Sequence, residues 1–366
     1  MSFLQNLFKK EKDKPISNYN DFWEWFSKHE RTFHRVVKEH KTVEKDFFNK
    51  LQPKLDELKD GYNYLTGMCD DNTVELILTP DGIIKNIVFC EELVHSAPHI
   101  EGWKFTTLKP ALDIQDVLIK MYSYSFGRTN MSFYSNDDPH YPDDIDIVIM
   151  HDDLTEQNRK EILTGTHIFL DNYLGELDYV TTVDNISVVA RQEAEKELIP
   201  IEKLKDFLNW RQKEFVEKYQ GVRNDNETGD YSIVEMKLES GRMIIATVNT
   251  ELLKWDAKAS HPWILDVEIA YNGENNNGMP DKDTYKLLDD IEKAFLAELK
   301  DYEGYLWIGR SSGNNLRNIY FACKDFRKPS KLLHNIQKNY SGPLKISFDI
   351  YKDKYWKSLN HFVTAR

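Results

Sequence analysis

What this 366-residue chain lacks first is positive charge: 48 Lys and Arg stand against 61 Asp and Glu, a formal net charge of −13. Nucleic acid and anionic membrane surfaces are held through surplus Lys and Arg, so neither is expected as the main partner. Cysteine is scarce as well. Cys69, Cys90 and Cys323 lie far apart, with no C-x-x-C pair and no even framework, which suits a reducing cytoplasm. No apolar run approaches the roughly 20 residues that span a bilayer. A glycine-rich phosphate loop is missing. These absences remove classes of function and assign none.

What is present is enough to fold. Hydrophobic residues make up 40% and aromatics 13%, which excludes a disordered chain. At about 150 residues per domain the length suits two domains. In the leader, residues 1–18, Phe3, Leu4, Leu7 and Phe8 sit at helical spacing before a lysine-rich stretch. It reads either as a weak peripheral membrane contact or as two turns docked on the domain. From Tyr19 to Leu58 the apolar residues recur with a helical period, Pro53 kinking the run or starting a new turn. The period then changes. Residues 62–68, 73–79 and 83–89 read as strands, the last two joined by the turn Pro80-Asp81-Gly82. A short helix before Pro98 and a strand from Trp103, expected as a core anchor, follow. Further strands near 117–125, 130–135, 145–150 and 178–188, with a helix over 155–174, make 19–204 an α+β domain on a largely antiparallel sheet.

A charged helical connector and polar loop, assigned to 205–230, lead to a hairpin at 231–249. Strand 263–271, helix 281–300, hairpin 305–323, helix 326–340 and strand 344–351 then spell βαββαβ. That order predicts a ferredoxin-like unit, extended by the initial hairpin, for the second α+β domain, 231–366.

The same residues carry a family resemblance. Asn277-Gly-Met-Pro280 running into Leu288-Asp-Asp-Ile-Glu292, then Tyr305-Leu-Trp-Ile-Gly309, Asn318-Ile-Tyr-Phe321, Asp353 and Trp356 resemble the bacterial family called domain of unknown function 695. The likeness covers roughly residues 210–366. It implies a bacterial cytosolic protein and no catalytic residues to carry over. Members of such families sometimes sit beside regulators of ribonucleases or toxin–immunity systems. Leu93-Val-His-Ser-Ala-Pro98, Gly102-Trp103 and Leu174-Gly-Glu176 in the first half resemble bacterial proteins without a named function.

Other constellations favour bland readings. His95 and His99 have zinc-ligand spacing, but Pro98 lies between them and no third ligand is near. Asn136 to Asp144 is rich in oxygen ligands yet holds two prolines, and reads as a solvated acidic turn. In Asn272 to Gly278 the glycine falls in the wrong place for a calcium loop, so the segment reads as a helix start. The thiols Cys90 and Cys323 read as core, and acidic neighbours should raise Cys69.

Strand parity supplies the candidate surface. Leu265, Val267, Ile269, Leu306, Ile308, Ile319, Phe321, Ile346 and Phe348 should face the helices. Asp266, Glu268, Tyr305, Trp307, Asn318, Tyr320, Asp349 and Tyr351, with Lys345, should then share the other face. Aromatics and carboxylates together suit a platform for a basic protein partner, pointing to a non-enzymatic binding module of regulatory or immunity-like type. The alternative is an enzyme or a metal- or ligand-binding protein with a carboxylate site between the two domains. No cofactor is expected. RNA stacking on the open-face aromatics is disfavoured by the acids among them.

Overall fold

The computed structural model describes all residues except 1–13, 225–228, 341, 343, 365 and 366. The amphipathic leader segment Phe3–Phe8 lies outside the described residues. By backbone proximity the chain forms two compact units, Met1–Pro110 and Ala111–Arg366. The segment 205–230, read as a connector, lies within the second.

In the first unit α1 (Tyr19–Lys38) starts where Asn18 accepts a hydrogen bond from the Asp21 amide at 3.0 Å. It buries Phe22, Phe26 and Phe33 on one stripe. The chain breaks at His40 and Thr42, both at positive φ, before α2 (Asn49–Leu58), which contains Pro53. The aromatic stripe meets Trp103 and Phe105, with Phe26 4.9 Å and 5.4 Å from their ring centres. Trp103 is therefore the anchor its position predicts. Each such ring contributes about 1.5–3 kcal/mol by burial. The sheet has the order β1 (Asn63–Met68), β2 (Val74–Thr79), β3 (Trp103–Thr107).

Here one expectation fails. Residues 84–86 form a 3₁₀ turn leading into α3 (Ile87–His95), so 83–89 is no strand and β2 pairs with β3 in parallel. The apolar run Ile87, Val88, Phe89, Cys90 is buried on all sides, and a short buried run has no period to tell strand from helix. A parallel pair needs a crossover, and α3 supplies it.

The second unit contains a small hairpin, β4 (Ile119–Met121) and β5 (Tyr124–Phe126), and a four-stranded sheet. That sheet comprises β6 (Met131–Asn136), β7 (Asp146–His151), β8 (Asn185–Val189) and β9 (Ile199–Pro200), in the order β8-β7-β6-β9. Between β7 and β8 come α4 (Arg159–Leu174) and α5 (Glu176–Thr182), so residues 178–182, read as strand, are helical. Phe133, Ile149, Ile162 and Phe169 pack its core, to which α6 (Leu204–Tyr219) adds Leu204 and Leu208. At Gly165 a Cβ would lie 2.0 Å from the Phe126 ring, so only glycine lets α4 approach.

The remaining strands, β10 (Tyr231–Lys237), β11 (Met243–Asn249), β12 (Trp263–Ala270), β13 (Tyr305–Gly313), β14 (Leu316–Cys323) and β15 (Lys345–Lys352), form one antiparallel sheet. Their order is β10-β11-β13-β14-β12-β15. Helices α7 (Lys282–Glu298) and α8 (Arg327–Asn339) meet the same face of it. From that face Arg310 reaches Glu292 of α7, Trp263 packs on Phe326 at the head of α8, and Tyr305 lies under Lys328. On the other face, one half is apolar, with Ile264, Leu306, Ile308, Ala246 and Val248 beneath a cap of Leu252, Leu253, Trp356, Leu359 and Phe362. The cap residue Phe362 belongs to α9 (His361–Thr364).

Candidate functional site

Beyond the cap the same face turns polar. Asp266 on β12 stands directly opposite Asp349 on β15 and Tyr320 on β14, and Glu268 stands opposite Ser347 and Asn318. The alternation of β12 explains this: Leu265, Val267 and Ile269 are fully buried toward the helices, which turns the acids to the far side. Glu268 and Asp349 are exposed, whereas Asp266 is half-buried and accepts from the Asn318 amide at 3.3 Å. Burial, with Glu268 and Asp349 adding, pushes the Asp266 carboxyl above its ordinary value against the pull of Asn318 and His361. Burial also raises Tyr320, whose ring meets Phe362 edge-on at 5.5 Å. Tyr351 donates to Ser358 at 3.1 Å.

Six of the eight candidates thus share a face, and Tyr305 and Trp307 do not. Tyr305 pairs with Cys323 and Trp307 with Phe321, on the side of the helices. Leu306 and Ile308 accordingly face the cap and not the helices. The physical reason is that this half of the far face is also apolar, so Leu306 and Ile308 find their cover beneath the cap, and a bulge between Trp307 and Gly309 shifts parity only after them. Trp307 packs against Tyr231 at 5.7 Å. Its buried indole N–H has no acceptor among the described residues.

Two ionic assemblies escaped the sequence reading. In the first, Glu292 accepts from Arg310 at 2.8 Å and lies 3.7 Å from Arg317, whose Nε donates to Ser312 at 2.8 Å. Arg317 and Glu292 are 1% and 3% exposed, and the Arg317 guanidinium lies 5.0 Å from the Tyr285 ring centre. The available signal was a charge inside an apolar pattern: Glu292 beside Ile291 on α7, and Arg317 in phase with Ile319 and Phe321.

The second joins the two sheets of this unit. Asp184 accepts from Lys352 at 2.8 Å and from Lys354 at 2.7 Å, while Asp144 accepts from Lys357 at 2.8 Å. Asp143 accepts from Lys218 and Tyr219 at 2.7 Å and from Tyr355 at 2.8 Å. Against the opposing effect of burial, those three donors hold Asp143 below the usual carboxylate range. The acidic stretch 136–144 is therefore not merely a solvated turn. Burial pushes Lys352 down to about 8, in spite of Asp184.

The other motifs are structural. His95 and His99 are exposed, and no three His, Cys, Asp or Glu among the described residues are grouped to hold a metal. Cys90 and Cys323 are buried, and burial with Glu75 raises Cys69. Asn277 and Gly278 both take positive φ so that the loop can dock on the β13–β14 turn. There a Gly278 Cβ would lie 2.9 Å from the Asn314 backbone. Asp353 accepts from the Lys357 and Ser358 amides at 2.9 and 2.8 Å, and Trp356 donates to the His261 carbonyl at 3.0 Å. Those two residues hold the cap in place.

These features define an α+β protein whose C-terminal antiparallel sheet bears helices on one face and a half-capped acidic surface on the other. Residues 235–363 match the model of a Family of unknown function (DUF695), in the region where the quoted motifs lie. No curated protein and no solved structure matches the chain. Among the described residues, no helix is long and apolar enough to cross a membrane.

Proposed function

We propose that the chain is a non-enzymatic binding module of the cytoplasm, regulatory or immunity-like, which recognises a basic protein through the uncapped half of its last sheet. The observation that carries this reading is the direct opposition of Asp266 and Asp349, one step from Glu268, on an uncapped surface. Like charges facing each other across a sheet destabilise it, so their retention fits a role in recognition. The aromatic contribution comes from Tyr351, since Tyr320 is buried against Phe362 of the cap. Strand order β13-β14-β12-β15 with two helices on one face also supports a ferredoxin-like frame, with β10–β11 as an added hairpin.

The test is capture from a host extract with the wild-type chain and with an Asp266→Asn, Glu268→Gln, Asp349→Asn variant. A basic protein should be retained by the wild type, released at about 0.5 M salt, and missed by the variant. Retention of the same partner by both chains would refute the reading.

A further inference from the structure

We propose that a cleft in the second unit, between helices α5 and α6 and the ends of β12 and β15, binds a small molecule joining a phosphate-class anion to a flat ring. The cleft has a volume of about 460 Å³, within the range of small-ligand sites. Its charge is opposite to that of the chain. In a protein of net charge −13, Lys324, Arg327, Lys352 and Lys354 line it against Asp178 and Asp325, with Asp184 paired behind Lys352 and Lys354. A neighbouring cleft of about 310 Å³ balances three lysines against Asp144, Asp184 and Asp353. Another, of about 500 Å³, has Asp143, Glu214 and Glu217 outnumbering Arg211 and Lys218.

The lysines of this cleft also donate to neutral backbone carbonyls, Lys324 to Val222, Lys352 to Thr182 at 3.0 Å and Lys354 to Asp143. Lys352 and Lys354 share Asp184, and Lys354 opposes the charge on Lys352. Lys324 is held below its ordinary value by burial and then by Arg223. Arg327 begins α8, and both its guanidinium, at 2.9 Å, and its backbone N–H, at 2.7 Å, donate to Asp325, which opposes the partial positive charge of the helix start. An anion seated by Lys324 and Arg327 would add negative charge beside the cations of the cleft, and the guanidinium fork favours phosphate geometry. Phe215, Trp263 and Phe326 line the same cleft, the last two edge-on at 5.0 Å, and give a ring an apolar wall.

Phenyl phosphate is the probe, titrated calorimetrically into the full chain. Binding is expected with a dissociation constant below about 1 mM, weakened about tenfold or more in a Lys324→Gln, Arg327→Gln variant. Inorganic phosphate and phenol should each bind at least about tenfold more weakly, since each supplies half the ligand. Near pH 8, heats in buffers of different ionisation enthalpy should show proton uptake, as Lys352, lowered to about 8, recharges near the anion. Should the double variant not fold, Lys324→Gln alone carries the same expectation. Absence of binding up to about 10 mM, equal affinity in the variant, or inorganic phosphate binding as well as phenyl phosphate would overturn the proposal.

Discussion

Two carboxylates of the second unit, Asp143 and Asp266, behave in opposite ways. At the junction of its sheets, Asp143 and Asp184 are surrounded by donors, and the Asp143 carboxyl is held low. On the sheet face, Asp266 meets Asp349 and Glu268, and its carboxyl is driven up. Asp143 has three donors around it, whereas Asp266 has the one Asn318 donor and two acids as neighbours.

Breaking the junction of the sheets should have the largest effect. Asp184→Asn leaves Lys352 and Lys354 without their shared anion, and loss of one partner from a buried pair costs about 3–5 kcal/mol. Urea titration at pH 7 measures it. The loss should shrink above about pH 8, where Lys352 gives up its proton even in the wild type.

Asp143→Asn comes next, at about 1.5–3 kcal/mol for weakened hydrogen bonds to a charged group. A carboxyl lowered on folding contributes stability above its unfolded pKa, and that contribution fades as pH falls through the lower folded value. Melting temperatures of wild type and variant should therefore converge in acid.

Asp266→Asn should reverse the sign. Its carboxyl is raised on folding, so the unfolded chain ionises first and a penalty grows from about pH 3.8 upward. The variant should gain about 0.2–1 kcal/mol at pH 7 and match the wild type near pH 3. A loss at neutral pH would make Asp266 a structural acid and undo the contrast between Asp143 and Asp266.

The smallest change is expected at Trp307. A Trp307→Phe variant removes a buried N–H without an acceptor and loses some ring contact with Tyr231. The two effects oppose, and equilibrium unfolding should shift by less than about 1 kcal/mol. Near-unchanged stability would keep this ring apart from both carboxylate groups.

Much of the last sheet was legible because β12 alternates cleanly, with half-buried Asp266 and exposed Glu268 between buried Leu265, Val267 and Ile269. Alternation cannot choose a side where both faces of a strand are covered. On β13 the apolar Leu306 and Ile308 lie under the cap, so a parity set by apolarity puts Tyr305 and Trp307 on the wrong face. The run 83–89 failed for another reason, since uniform burial erases the period on which the reading depends. The junction network depends on pairs such as Asp143–Tyr355, separated by 212 positions, which local patterns do not connect. The cleft at α8 was invisible for the same reason.

Three consecutive residues at the end of β15 tie separate parts of this unit together. Lys352 and Lys354 grip Asp184, while Asp353 between them fastens the turn that lays Trp356 over the sheet. Neither attachment can be released without pulling on the other through one peptide bond on each side. Amide exchange should therefore find β8, β15 and the segment around Trp356 opening as a single cooperative block, with shared protection and one opening free energy. A chain read as successive elements would, on the time axis, behave as a clasp with one pin.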